Sequence, residues 1–144
     1  MFLTLLTYTF PLPLPAQVLE RRSLEDLDSE LQGIMGTLKL DYLIEREGGW
    51  TAESGRWEDR LSLGEQQRIG MGRVYFHKPS MVFLDECTNA TSADIESSLY
   101  DECQRYGMTI ITTSQRAALV QFHSRELRLM ENGSWKLFQI ISST

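Results

Sequence analysis

The sequence feature that most constrains the fold is a short, wholly apolar run, Met81-Val-Phe-Leu84, which ends in the adjacent carboxylates Asp85 and Glu86. An apolar run of this length is typical of a strand that is buried on both faces of a parallel sheet. A helical pattern over residues 93–106 follows it, and a β-branched run over 108–113 comes next. Strand, helix and strand in this order predict a parallel crossover, so we expect an α/β fold.

The rest of the chain divides into segments whose spacing predicts further structure. These are an amphipathic helix from Ser23 to Leu38 with a break at Gly33 or Gly36, a polar loop over 51–59, a helix over 64–77, a short helix over 116–123, and a hairpin around Asn132-Gly133. Prolines at alternate positions interrupt the start of the chain, which favours an extended, irregular course. We therefore predict an irregular N-terminal segment at 1–22, a helical part at 23–60, and an α/β part at 61–144.

Charge and composition exclude several function classes. The 144 residues carry a formal net charge of -6, which repels the phosphate backbone of nucleic acids. The two cysteines lack the spacing of a zinc site and are too few for a disulfide framework. The apolar start of the chain reaches proline before it reaches a membrane-spanning length and has no basic segment, so we expect no signal peptide and no direct membrane span.

The carboxylate pair is the first candidate for chemistry. Asp85 and Glu86 directly follow a predicted strand, and the carboxyl ends of parallel strands face the ligand crevice. One carboxylate would hold Mg²⁺ and the other would orient or deprotonate a water molecule. Alternatively, the pair caps the following loop and stays in solvent. Ser114 and Gln115 follow the next strand, so we expect them at the same edge of the sheet.

The second candidate is the segment Leu61-Ser-Leu-Gly-Glu-Gln-Gln-Arg68 at the start of a predicted helix. The Ser62 hydroxyl, close backbone approach at Gly64 and the free amides of a helix start attract phosphate. An ordinary capping box, with Ser62 as the N-cap and Glu65 three residues later, explains the same residues. On these residues alone the capping explanation is favoured.

The order of these motifs resembles the latter half of an ABC transporter nucleotide-binding domain. Four motifs carry the resemblance: Leu61–Arg68, the strand ending in Leu84-Asp-Glu86, the Asn89-Ala-Thr-Ser92 loop, and Ser114-Gln-Arg116. Further segments are similar to subfamily D, the peroxisomal fatty acyl-CoA transporters, and above all to the second nucleotide-binding domain of the plant-type full-length member. They are Glu45-Arg-Glu-Gly-Gly-Trp50, Gln67-Arg-Ile-Gly-Met71, Leu84-Asp-Glu-Cys-Thr88 and Phe122-His123.

The resemblance covers about residues 40–140 and implies a partial P-loop-type ABC ATPase fold. This fold would combine a helical subdomain part with the C-terminal half of the parallel-sheet core and end in a β-hairpin. It implies ATP and Mg²⁺ as cofactors. The signature residues would contact the γ-phosphate of ATP held by a second ABC ATPase domain; they are Ser62, Gly64, Glu65 and Gln66.

The resemblance also assigns roles at the strand ends. Asp85 would serve the Walker B role on Mg²⁺, and Glu86 would polarise the attacking water. Gln115 stands where most family members have a switch histidine. An amide can hydrogen-bond a phosphate but cannot carry a proton, so we expect slow turnover at this half-site.

One family motif is missing from the printed sequence. It contains no Gly-x-x-x-x-Gly-Lys-[Ser/Thr], whose backbone amides cradle the phosphates of the nucleotide. We therefore expect a partial chain that does not hydrolyse ATP alone and that works with a second ABC ATPase domain and with transmembrane domains. The resemblance places it at the cytosolic face of the peroxisomal membrane. The alternatives are a non-catalytic module that donates its signature motif to a partner ATPase, and an inactive truncated remnant.

Overall fold

The computed structural model describes residues 23–50 and 56–140. The predicted irregular segment 1–22 and the first half of the predicted loop lie outside these ranges. The helices are α1 (Leu24–Thr37), α2 (Asp41–Arg46), α3 (Leu63–His77) and α4 (Ala93–Arg105), with 3₁₀ turns at Trp57–Asp59 and Ala117–Phe122. The strands are β1 (Met81–Asp85), β2 (Thr109–Thr113), β3 (Arg125–Leu129) and β4 (Trp135–Gln139). Within the described ranges, no helix is long and apolar enough to cross a membrane.

Helix α1 begins where the sequence predicts but runs without a break. Ser23 is its N-cap and accepts a hydrogen bond from the Asp26 amide. The helix continues through Gly33 and Gly36 to Thr37, so the predicted break is wrong. A glycine inside a helix costs about 1 kcal/mol, and burial of the apolar face of α1 against the core outweighs that cost.

The predicted crossover is present, and the α/β class is confirmed. Strands β1 and β2 pair in parallel, with Val82 opposite Ile110 and Asp85 opposite Thr113, and α4 connects them. Side chains alternate along β1, so that Val82 and Leu84 are buried while Phe83 is 72% exposed. The prediction that β1 is buried on both faces is therefore wrong. Among the described residues, the helices cover only one face of this pair of strands.

A single hydrophobic core joins the helices to the covered face of the sheet. It takes residues from both the predicted helical part and the predicted α/β part. Tyr75 of α3 is fully buried, and its hydroxyl donates to the Leu99 carbonyl at 2.8 Å. This contact ties the last turn of α3 to α4. The largest fully buried side chains are Tyr75, Tyr100, Leu31, Met35, Leu38, Leu40, Leu43, Ile69, Met71 and Leu99.

The predicted hairpin is also present. Strands β3 and β4 pair antiparallel, with Leu127 opposite Leu137. Gly133 adopts φ 79° in the turn, a conformation that glycine reaches without steric cost. The amide of Ser134 donates to the Asn132 side-chain oxygen at 3.0 Å, which stabilises the turn locally.

Candidate functional site

The carboxyl ends of β1 and β2 form an exposed polar edge, which we call the strand-end site: Asp85, Glu86, Thr113, Ser114 and Gln115. Asp85 lies opposite Thr113, whose hydroxyl donates to the Asp85 carboxylate. The Glu86 amide donates to the Thr113 carbonyl at 3.0 Å. The structure thus places the four predicted residues at the ends of the paired strands together with Thr113, which the sequence did not predict there, and all five are exposed to solvent.

Glu86 is held in an unusual backbone conformation. Its φ is 43°, in the left-handed region that side chains other than glycine rarely adopt. Its carboxylate accepts a hydrogen bond from the Asn89 side chain at 2.9 Å. Glu86 therefore contacts the following loop, as the capping alternative proposes, while its exposed carboxylate remains accessible to water. Backbone strain of this kind is concentrated at functional sites.

The start of α3 is a complete capping box. The Glu65 amide donates to Ser62 Oγ at 3.3 Å, and the Ser62 amide donates to Glu65 Oε2 at 2.7 Å. Glu65 is only 5% exposed, and its other carboxylate oxygen accepts from the Tyr42 hydroxyl at 2.7 Å and from Arg46 at 2.8 Å. Burial raises the pKa of Glu65, but these hydrogen bonds outweigh it and lower the pKa to about 2. The Glu65 carboxylate is thus an anion that holds α2 against the start of α3.

The other predicted signature residues differ in how they are placed. The Gln66 side-chain amide donates to the Leu61 carbonyl at 2.8 Å, so it also supports the helix start. Ser62 is exposed, and Leu63 is 61% exposed. At Gly64 a Cβ would lie 2.7 Å from the Ala90 carbonyl oxygen. Glycine is therefore required here for packing against the β1–α4 loop, whether or not a phosphate binds.

Gln67 connects the signature segment (residues 61–68) to the strand-end site. Its side-chain oxygen accepts from the Ala90 amide at 2.8 Å, and its side-chain nitrogen donates to the Glu86 carbonyl at 3.4 Å. The two predicted sites therefore share one connected surface. Sequence reasoning missed this role of Gln67, because nothing in the spacing of the motif indicates a contact with a loop 23 residues away.

An ion pair beneath the loop was also missed. Arg116 lies 2.7 Å from the carboxylate of Glu96, which is 2% exposed. The sequence does contain a signal for it, since Glu96 shares a helical face with Leu99 and Tyr100. A carboxylate on an apolar face indicates a buried partner of opposite charge.

Cys87 and His123 have ordinary structural surroundings. Burial raises the pKa of the Cys87 thiol, which disfavours the thiolate. The His123 ring nitrogens lie 2.8 Å from the Leu119 carbonyl and 2.9 Å from the Thr112 hydroxyl. Within residues 23–50 and 56–140, no group of three or more His, Cys, Asp or Glu side chains is arranged to hold a metal by itself.

A parallel strand pair with an acidic end, a capped helix start on the same surface and a following hairpin are the arrangement that a resemblance to an ABC nucleotide-binding domain implies. Comparison with known proteins gives the family. The chain is 54% identical over 120 residues to ABC transporter D family member 1 of Arabidopsis thaliana, which covers 82% of this chain. It is 38% identical over 125 residues, or 87% of its length, to ATP-binding cassette sub-family D member 3 of Homo sapiens. The chain is part of a nucleotide-binding domain of the D subfamily of ABC transporters, as its sequence predicts.

The relatives are much longer than this chain. It spans 9% of the Arabidopsis protein and 18% of the human one. The lysosomal cobalamin transporter ABCD4 of Mus musculus is 41% identical over 102 residues, 70% of this chain and 17% of that protein. No model of a protein family matches the chain. A solved ATP-binding cassette of an ABC transporter, in its ADP conformation, is 20% identical, with a TM-score of 0.49 over 80% of this chain and 44% of that one.

Proposed function

We propose that this chain supplies part of a composite ATP site in a D-subfamily transporter. The strand-end site serves the metal and the attacking water, and Ser62 and Gly64 meet the γ-phosphate of ATP bound to a second ABC ATPase domain. The observation that carries this proposal is the connection through Gln67, because it places both sets of residues on one surface. Gln67 would thereby couple the signature residues, which meet ATP held by the second domain, to the strand-end residues, which act on nucleotide bound at their own domain.

The strand-end site has donors that suit Mg²⁺. This ion binds through one or two carboxylates together with water and substrate phosphates, so it needs no cage of protein ligands. Asp85 offers an exposed carboxylate that is oriented by the Thr113 hydroxyl. In this proposal Asp85 would hold the ion, which would supply positive charge at the phosphates. Glu86 orients water, and the Gln115 amide hydrogen-bonds a phosphate.

Glu65 and Gln66 act differently from Ser62 in this proposal. The Glu65 carboxylate is an anion buried against Arg46, and the Gln66 amide donates to Leu61. Both side chains therefore act on the nucleotide through the helix start that they hold. Ser62 and the Gly64 backbone are the parts of the signature segment that reach the phosphate.

The test is ATP-dependent association. The purified chain is mixed with an ATP-binding cassette that carries the Gly-Lys-Ser loop, and the dissociation constant is measured with and without MgATP. We expect MgATP to promote association and Ser62→Arg to weaken it by at least about tenfold, or about 1.4 kcal/mol. Ser98→Arg, at an exposed serine of α4, is the matched control and should change nothing. Association that ignores ATP, or that survives Ser62→Arg, contradicts the proposal.

The proposal extends to the whole protein, and so to the molecule that it transports and the membrane in which it lies. We propose a peroxisomal transporter of fatty acyl-CoA, with transmembrane domains and a second ATPase domain as partners. The support is the motif resemblance and the higher identity to the plant D-family member, 54%, than to the cobalamin transporter, 41%. Stimulation of the whole transporter's ATPase by acyl-CoA, with cobalamin as the contrasting substrate, is the measurement that decides between them.

One observation favours a second candidate, the inactive remnant. Met81 is 52% and Phe83 is 72% exposed on the uncovered face of β1, and such strands promote association between chains. A remnant of this kind would aggregate and melt without cooperativity. A soluble monomer with one sharp thermal transition would exclude it.

A further inference from the structure

A buried ion pair supports the loop between β1 and α4. Glu96 of α4 is 2% exposed, and one of its carboxylate oxygens lies 2.7 Å from the Arg116 guanidinium. The same oxygen accepts from the Thr88 hydroxyl at 2.6 Å. Arg116 directly follows Gln115 of the strand-end site. The pair therefore links the segment after β2 to the loop that begins at Glu86.

The guanidinium of Arg116 also holds the backbone of that loop. It donates to the Thr88 carbonyl at 3.2 Å and to the Thr91 carbonyl at 3.4 Å. Thr91 in turn donates its hydroxyl to the Thr88 carbonyl at 2.7 Å. The guanidinium presents these donors on a rigid plane, whereas the ammonium of lysine is strongly hydrated and lies at the end of a flexible stem, so lysine would hold the same acceptors less firmly. Arg116 thus does more than balance the charge of Glu96.

The same loop carries contacts that matter for the proposed site. Ala90 packs against Gly64 and bonds to Gln67, and the Glu86 amide bonds to the Thr113 carbonyl. We propose that Arg116 is a positioning residue, which holds loop 86–92 so that Glu86, Gln115 and the signature segment keep their relative positions. Its effect on a nucleotide rests on the proposed function, but the placement of the loop does not.

The test removes the Arg116 guanidinium without leaving a buried charge. Arg116→Met alone would leave the Glu96 carboxylate buried without a charged partner. It is therefore combined with Glu96→Gln, whose side chain can still accept a hydrogen bond from Thr88. We expect the melting temperature of the double variant to stay close to that of the unchanged chain. Amide hydrogen exchange at Thr91 and Glu86 should rise by at least about tenfold. The Leu38 amide, which bonds to Ile34 in another part of the protein, should exchange as before.

Two further variants sharpen the test. Arg116→Lys keeps the charge beside Glu96, so it should preserve the melting temperature and still speed exchange at Thr91. It also carries the test if the double variant does not fold. Arg105→Met with Glu102→Gln is the matched control, since this ion pair lies 2.9 Å apart on the exposed side of α4. It should leave the exchange at Thr91 unchanged.

The outcomes separate positioning from general stability. Unchanged exchange at Thr91 and Glu86 in the Arg116 variants would overturn the proposal. So would a parallel rise at Leu38, because Arg116 would then act on the stability of the whole fold. The exchange experiment contains no nucleotide. Failure of ATP-dependent association would therefore remove the proposed function and leave the positioning role standing.

Discussion

The signature segment and the strand-end site share one surface but differ in how their carboxylates are held. Glu65 is buried and accepts hydrogen bonds from Tyr42, Arg46 and Ser62. Asp85 and Glu86 are exposed, and Glu86 has a left-handed backbone. The contrast suggests that the signature segment fixes the local fold, whereas the strand-end site keeps its groups accessible for chemistry. Substitutions in the first region should therefore lower stability, and substitutions in the second should lower turnover.

Removing the Glu65 side chain should give the largest loss of stability. Glu65→Ala leaves Arg46 and Tyr42 without a shared partner and removes half of the capping box. We expect the free energy of unfolding to fall by about 2–4 kcal/mol, since half of the capping box and the hydrogen bonds to a buried carboxylate are lost while Arg46 keeps its ion pair with Glu47. Glu86→Ala should change it by no more than about 0.5 kcal/mol, because Glu86 is exposed. Urea denaturation followed by circular dichroism measures both changes in unfolding free energy. Equal losses would refute the difference between the two regions.

Lowering the pH should destabilise the protein through the same carboxylate, that of Glu65. The pKa of Glu65 is about 2 in the folded protein, against an ordinary value of 4.5. A lowered folded pKa stabilises the protein at pH values above 4.5. That stabilisation, up to about 3 kcal/mol, is lost as the pH falls towards 2. Glu65→Gln should flatten the dependence of unfolding free energy on pH in this window, and identical slopes for the two proteins would contradict the assignment.

Two glycines of α3 should respond in opposite directions. A Cβ at Gly64 would lie 2.7 Å from the Ala90 carbonyl oxygen, so Gly64→Ala should cost about 1–3 kcal/mol. Gly70 has open space around the same position, and Gly70→Ala should stabilise the helix by about 0.5–1 kcal/mol. Thermal unfolding of both variants is the measurement. A Gly64→Ala protein as stable as Gly70→Ala would show that the Ala90 contact is not a real constraint.

Local chemistry explains which features the sequence predicts. The capping box at Ser62 and Glu65 and the turn at Asn132-Gly133 each depend on residues within a few positions of one another, and both are present. The order of apolar segments likewise predicts the β1–α4–β2 crossover. These features need no knowledge of distant contacts.

Long-range packing explains what the sequence does not predict. The continuity of α1 through Gly33 depends on what its apolar face packs against. The exposure of Phe83 depends on which elements cover the sheet. The ion pair of Arg116 and Glu96 joins residues that are 20 positions apart, and the partners of Glu65 at Tyr42 and Arg46 are similarly remote. Such contacts appear only when the elements are placed in space.

The smallest expected change in stability, at Glu86, separates stability from function at a single residue. Glu86 has φ 43°, and the left-handed conformation costs about 1–2 kcal/mol for a residue with a Cβ. Glycine avoids that cost but gains freedom in the unfolded chain, so Glu86→Gly should be more stable by about 0.5 kcal/mol. Lys39→Gly is the matched control, because Lys39 has φ 57° and lies away from the strand ends. In the whole transporter, Glu86→Gly should lower ATP turnover at its own half-site by about a hundredfold or more, whereas Lys39→Gly should not. If Glu86→Gly were less stable and Lys39→Gly more stable, the Glu86 side chain would itself hold the fold together, and the contrast with Glu65 would fail.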